Sequence, residues 1–182
     1  MLGDDFPNVL AAARRGDEEA FARLWRDTQP SLLRYLRVGG PVADDVAADT
    51  WVCVIEGLGR FRGDERGFRA WLFTIARRRQ ADRHRAAARR PVTPASDRGL
   101  EEVAGPGDPV DVVAAALGTE AAIRIIAALP PDQAEVVALR VIADLDVRQV
   151  ARIVGKRPGA VRVLSHRGLR RLAELLQDQR EL

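Results

Sequence analysis

A chain of 182 residues, 47% hydrophobic and 30% charged, has the makeup of a soluble globular protein with room for one ordinary domain or two small ones. No run approaches the ~20 apolar residues of a membrane span, and Met1 to Pro7 carry two acids and no secretory pattern. The single cysteine, Cys53, excludes an intrachain disulfide and fits a reducing cytoplasm. The net charge is only +3, but its distribution is uneven. Ala76 to Arg90 holds seven arginines against Asp82, and Val147 to Ala173 holds eight basic residues and no acid. Pro91 to Gly118 reverses the balance, with five acids and only Arg98. Two basic modules joined by an acidic tether make nucleic acid the leading partner class.

In chain order, Asp17 is placed to cap a helix that opens with Glu18 and Glu19 and continues with Phe21, Leu24 and Trp25 at helical spacing. Pro30 predicts a restart into Ser31 to Val38, and Gly39-Gly40-Pro41 a break. Asp44 or Asp45 opens a helix to about Leu58; Gly59 to Gly67 reads as a polar turn, and Phe68 to Ala88 as the next helix. Pro91 to Gly118, with four prolines and four glycines, reads as a flexible linker with a short helical turn at Val110 to Leu117. Helices follow at Glu120 to Leu129, Pro131 to Ile142, Val147 to Val154 and Pro158 to about Leu176. No strand-like alternation occurs. The expected fold class is all-α: two small helical domains, 1–90 and 119–182, joined by a flexible acidic linker over 91–118.

The second basic module has the form of a helix-turn-helix. Val147, Val150, Ala151 and Val154 give a short helix its apolar side, Gly155 ends it, Lys156-Arg157 turn the chain, and Pro158 opens a second helix able to enter a major groove. On that helix Val161, Leu164, Gly168, Leu172 and Leu175 share the buried side. Gly159, Arg162, Val163, His166 and Arg170 share another, with Arg167 at its edge. Arginines there can pair with guanine or hold phosphates, and a merely solvated face would mix charge signs.

In the first basic module, Phe68, Trp71, Leu72 and Ile75 form an apolar stripe, after which Arg77-Arg78-Arg79-Gln80-Ala81-Asp82-Arg83-His84-Arg85 is almost wholly polar. Phe61, Phe68, Trp71 and Phe73 could stack on unpaired bases, although Phe68 and Trp71 lie in the stripe and fit core packing better. The lone acid Asp82 reads either as an acceptor for a base or an orienting partner for an arginine, or as a surface acid paired with Arg78 or Arg85. On the preceding helix Asp45, Asp49, Val52 and Glu56 fall on one narrow face, while Trp51, Ile55 and Leu58 take other sides and Cys53 fits a small buried site. An acidic stripe inside a DNA-binding module faces solvent or a basic protein partner.

Asp44-Asp45-Val46-Ala47-Ala48-Asp49-Thr50-Trp51, Arg60-Phe61-Arg62-Gly63-Asp64 and Gly67-Phe68-Arg69-Ala70-Trp71-Leu72-Phe73-Thr74-Ile75-Ala76-Arg77 resemble domain 2 of extracytoplasmic-function (ECF) sigma factors of the sigma-70 superfamily. Leu129-Pro130-Pro131-Asp132-Gln133, Leu139-Arg140 and the helix-turn-helix through Gly159-Ala160-Val161-Arg162 resemble domain 4. The resemblance implies that Asp45, Asp49, Val52 and Glu56 dock on the β′ coiled coil of core RNA polymerase. It further implies that Arg77, Arg78, Asp82, Arg83, His84 and Arg85 recognise and help melt the −10 element of promoter DNA. Lys156, Arg157, Gly159, Arg162, His166, Arg167 and Arg170 would serve the −35 element, with domain 4 on the β flap and the acidic linker near the template and RNA exit path. Arg78 stands where many relatives carry asparagine, and Val163 where serine is common. With no recognisable domain 1.1 or 3, built-in autoinhibition is not expected, and control falls to a separate anti-sigma factor.

The competing reading is a stand-alone helix-turn-helix regulator that binds an operator without polymerase, which would leave the acidic stripe without a purpose. An enzyme is not expected: G-x-x-x-x-G-K-[ST], H-E-x-x-H and paired C-x-x-C are absent, and His84 and His166 both lie in basic runs. With one cysteine and no His–carboxylate cluster, neither a metal site nor a cofactor is expected.

Overall fold

The computed structural model describes residues 1–88 and 120–178, and all of its regular elements are helical. The acidic tether and the turn expected at Val110 to Leu117 lie outside these residues. The first group comprises α1 (Phe6–Arg14), α2 (Glu18–Val38), α3 (Ala43–Leu58) and α4 (Glu65–Ala88). The second comprises α5 (Glu120–Ala127), α6 (Pro131–Val137) running into a π-helical turn (Ala138–Ile142), α7 (Val147–Val154) and α8 (Pro158–Asp178).

Helix α1 was not among the expected elements, yet Phe6, Val9, Leu10 and Ala13 are all buried at the i, i+3, i+4, i+7 positions of an amphipathic helix. In α2, Asp17 Oδ1 accepts the Ala20 N–H at 2.9 Å, as a capping residue does. The restart expected at Pro30 is not there: α2 runs unbroken from Glu18 to Val38. Pro30 is exposed, on the solvent side of the helix, while Leu24, Thr28, Leu32, Tyr35 and Leu36 are buried on the opposite side. Packing on both sides of the proline outweighs the one lost hydrogen bond. Helix α4 begins at Glu65, three residues before the expected Phe68, because Asp64 Oδ1 takes the Gly67 N–H at 2.7 Å and the Asp64 carbonyl takes the Phe68 N–H at 2.9 Å.

The first group closes around Leu24, Leu32, Leu36, Val46, Val54, Phe68, Leu72 and Phe73, all at most 1% exposed. Tyr35 meets Phe73 edge-on at 5.3 Å, and Phe61 stacks on Trp71 at 5.1 Å. The four aromatics offered as base-stacking platforms thus pack largely on the protein itself, with Phe68 and Phe73 fully buried. Burial of Tyr35 pushes its phenol well above the ordinary range.

In the second group the helix expected to run to Ile142 finishes as a π turn, closed by the Ala143 N–H donating to the Ala138 carbonyl at 3.1 Å. Asp146 then caps α7, accepting from the N–H groups of Arg148 (2.7 Å) and Gln149 (2.8 Å) while the Gln149 side chain accepts the Asp146 N–H at 2.9 Å. These backbone donors, that of Gln149 first, hold the Asp146 carboxyl below its usual range. Gly155, at φ +69°, supplies the left-handed residue that ends α7 and turns the chain into α8.

Gly168 lets α8 lie close on α6. A Cβ there would stand 2.6 Å from Cγ2 of Val137, which is fully buried and stiff at χ1, and 3.4 Å from Cβ of Gln133. Overpacking of this kind costs about 1–3 kcal/mol, and the helix propensity of alanine returns up to ~1 kcal/mol. Gly168→Ala is therefore expected to lower stability by about 1–2 kcal/mol in urea denaturation. A variant more stable than the parent would show that α6 and α8 do not meet this closely.

The two groups pack on one another, α2 and α4 against α5, the π turn and α7. Among the described residues, four side chains bond across this seam. Arg69 Nε donates to the Ala143 carbonyl (3.2 Å), Gln149 Nε2 to the Arg66 carbonyl (3.1 Å), Arg77 to Glu135 (2.6 and 3.3 Å) and Arg37 to Glu120 (2.9 Å). Nothing local in the sequence announces these partners.

Candidate nucleic-acid interface

The turn at Gly155 sets α8 across α7, with Val161, Gly168 and Leu172 turned inward and Leu164 and Leu175 half-buried, as the periodicity predicts. Arg157, Gly159, Arg162, His166, Arg167 and Arg170 are exposed. Among the described residues Arg157, Arg162, His166 and Arg167 form no hydrogen bond or ion pair, so their donors are open to a ligand. Lys156 is different: its Nζ lies 3.0 Å from Asp132 on α6 and buttresses the turn. Arg170 leans on Glu174 at 3.3 Å, at the far end of the row. Val163, 48% exposed between Arg162 and His166, gives the face one apolar point.

The basic half of α4 is more occupied. Arg77 is gripped by both oxygens of Glu135, and that hydrogen bond raises its affinity for its proton further. Arg83 donates to Asp49 at 2.7 and 3.2 Å, and Arg85 is paired with Asp82 one turn before it. Arg78 and His84 are exposed without a hydrogen bond among the described residues. Of the residues assigned to the −10 element, α4 therefore presents two freely, while the exposed pairs are weak enough for a phosphate to displace.

On α3, Asp45, Val52 and Glu56 are exposed and Asp49 half-buried, forming the expected stripe. Ile55 belongs with them: it is 60% exposed beside Val52 at 55%, whereas Trp51 and Leu58 turn into the core. The sequence reading puts it on another side of α3 than the stripe; the packing of α3 on α2 and α4 leaves it exposed alongside Val52. Cys53 is not the buried filler expected. It is partly exposed, and its Sγ accepts from Arg79 at 2.8 and 3.2 Å. The contacts Arg79–Cys53 and Arg83–Asp49 both tie the basic helix to the acidic one.

Comparison with known proteins agrees with this geometry. Residues 24–90 match the family model "Sigma-70 region 2" and residues 119–172 match "Sigma-70, region 4". The chain is 34% identical over 189 residues to the ECF RNA polymerase sigma factor SigD of Mycobacterium tuberculosis, covering 96% of this chain and 85% of that one. It is 36% identical over 174 residues to the ECF RNA polymerase sigma factor BldN of Streptomyces coelicolor, covering 93% of this chain but spanning only 65% of BldN. The solved structure of CnrH in complex with the cytosolic domain of CnrY superposes with a TM-score of 0.62 at 26% identity, over 96% of this chain and 99% of that one. The all-α fold with its basic helix-turn-helix is thus of the sigma-70 class. Within that class, the chain belongs to the ECF RNA polymerase sigma factors.

Proposed function

We propose that this sigma factor binds core RNA polymerase and directs initiation at promoters carrying −35 and −10 elements. The observation that carries the reading is the exposed acid-and-apolar face of α3, Asp45, Val52, Ile55 and Glu56, on the same chain as a helix-turn-helix with open arginines. A stand-alone operator binder would use only the second of these surfaces. In the proposal, residues 1–90 form domain 2, 91–118 the tether and 119–182 domain 4. The α3 face meets the basic β′ coiled coil, with Asp49 half-engaged by Arg83, and domain 4 rests on the β flap. Arg78, Arg83, His84 and Arg85 track the separated strand near −10, with Arg77 and Asp82 beside them. Arg157, Arg162, His166 and Arg167 enter the −35 major groove, and Gly159 lets the backbone approach it. Lys156 and Arg170 flank this row. An anti-sigma factor is the expected controlling partner.

Transcription in vitro with core polymerase on a randomised promoter pool tests this. The expected result is enrichment of a two-part motif whose halves are both required, with no transcript when either the chain or core is left out. A chain that retards the same DNA by itself, and to which core adds nothing, would return the stand-alone reading.

A further inference from the structure

The run from Val147 to Ala173 holds no acid, and Glu174 is the carboxylate that ends it. Both of its oxygens are taken up by arginines of its own helix. Arg170 Nε donates to Oε1 at 3.3 Å, and Arg171 Nη1 donates to Oε2 at 3.3 Å. All three side chains line an open groove between α6 and α8, whose other walls are Pro130, Gln133 and Arg167. Gly168 brings α6 close enough to form it: a Cβ there would stand 3.4 Å from Cβ of Gln133 and 3.5 Å from its carbonyl oxygen. The acid beside the groove on α6, Asp132, is paired with Lys156 at 3.0 Å. Three guanidinium groups therefore line the groove, and two of them share its carboxylate.

Two guanidinium groups closing on two oxygens is also the arrangement that receives a phosphate. Glu174 fills it weakly. Its partners are 79% and 61% exposed and the distances are long, so these are ion pairs that water and salt screen. Position along α8 decides which anion can replace the carboxylate. Arg170 lies twelve residues after Pro158, about 18 Å along the helix at ~1.5 Å per residue. A major groove is ~12 Å wide, and a recognition helix reads it with its N-terminal residues. This part of α8 thus stands level with the flanking sugar-phosphate backbone.

We propose that the groove is a seat for a backbone phosphate beside the −35 element, formed by Arg170, Arg171 and Gln133 with Arg167 at its rim, and that Glu174 occupies it when DNA is absent. The carboxylate competes with every phosphate alike, whatever the bases beside it. It lowers the affinity of the second group for DNA in general and leaves Arg157 and Arg162 of the reading face to decide where the chain settles. The place of the seat beside −35 rests on the sigma-factor reading; its preference for phosphate does not.

Glu174→Gln removes the competing charge and keeps the shape of the side chain. With core polymerase bound, the full chain carrying it is expected to hold promoter duplex about 3- to 10-fold more tightly than the parent at ~0.1 M salt, by the same factor on every −35 variant. The slope of log affinity against log salt is expected to steepen by about one. Arg171→Ala is expected to weaken binding more in the Glu174→Gln chain than in the parent, where that arginine is already engaged. Helical circular dichroism should be the same in all four chains. Equal affinities and slopes for the parent and Glu174→Gln overturn the seat. A gain confined to one −35 position overturns the phosphate, since the groove would then be touching a base. A gain in binding to core polymerase without DNA, with none on duplex, also overturns it and gives the groove to an acidic protein segment. If Glu174→Gln steepens the salt slope on any duplex while the parent holoenzyme prefers no promoter, the sigma-factor reading fails and the seat stands.

Discussion

A chain carrying Asp45→Arg and Glu56→Arg is expected to bind core RNA polymerase about 10- to 100-fold more weakly than the parent, since reversing charges at a complementary interface replaces attraction with repulsion. Both carboxylates are exposed on α3 and neither is hydrogen-bonded among the described residues, so their loss leaves no buried group unpaired. Asp49 is left in place because it holds Arg83 at 2.7 Å, and changing it would disturb α4 as well. The structural cost is small: Asp45 lies in the first turn of α3, where a carboxylate is worth about 0.3–1 kcal/mol to the helix. Circular dichroism should therefore be unchanged, while competition binding to core shows the loss. The affinity of the parent should also fall more steeply with salt than that of the variant, because exposed charges are screened over about 10 Å at 0.1 M. Equal affinity of the two chains for core would remove α3 as the docking surface.

Arg162→Ala and Arg167→Ala are each expected to weaken −35 recognition by about 1–3 kcal/mol where the guanidinium pairs with a base. The two arginines are exposed on one side of α8 and form no pair among the described residues, so no intramolecular bond has to be broken before they meet DNA. Arg170 is the internal contrast, since Glu174 already engages it and part of any gain on binding is offset. Polymerase holoenzyme on a set of −35 variants separates the two roles. A base contact, when removed, relaxes specificity at one position; a phosphate contact, when removed, weakens all sequences alike and flattens the salt dependence. Normal transcription by both variants from the parent's promoter would mean that another face of the second group reads the DNA.

Much of this molecule was legible because the deciding interactions are local. Asp17, three residues from the Ala20 N–H it accepts, and Gly155, the left-handed stop of α7, mark helix ends that need no distant partner. The inward row of Val161, Gly168 and Leu172 follows from 3.6-residue periodicity, and it leaves Arg162 and Arg167 outside whatever the helix packs on. The same periodicity is present at Phe6, Val9, Leu10 and Ala13, so α1 was readable in principle.

The sequence by itself therefore determined the helices, their apolar sides, the helix-turn-helix and the separation of basic from acidic faces, since each depends on residues within a turn or two of one another. Tertiary structure decided what depends on contacts between elements. It carried α2 through Pro30, because burial on both sides outweighs one hydrogen bond, and it turned Ile55 outward, because Trp51 and Leu58 fill the space on the inner side of α3. It occupied Arg79 and Arg83 with Cys53 and Asp49, and it set Arg77 against Glu135 and Arg69 against Ala143. The partners across the seam stand 58 and 74 residues apart, where no periodicity or capping rule reaches. Which arginines are open to DNA is fixed by that packing, because an exposed cation and a paired one look alike until the fold brings a carboxylate beside one of them.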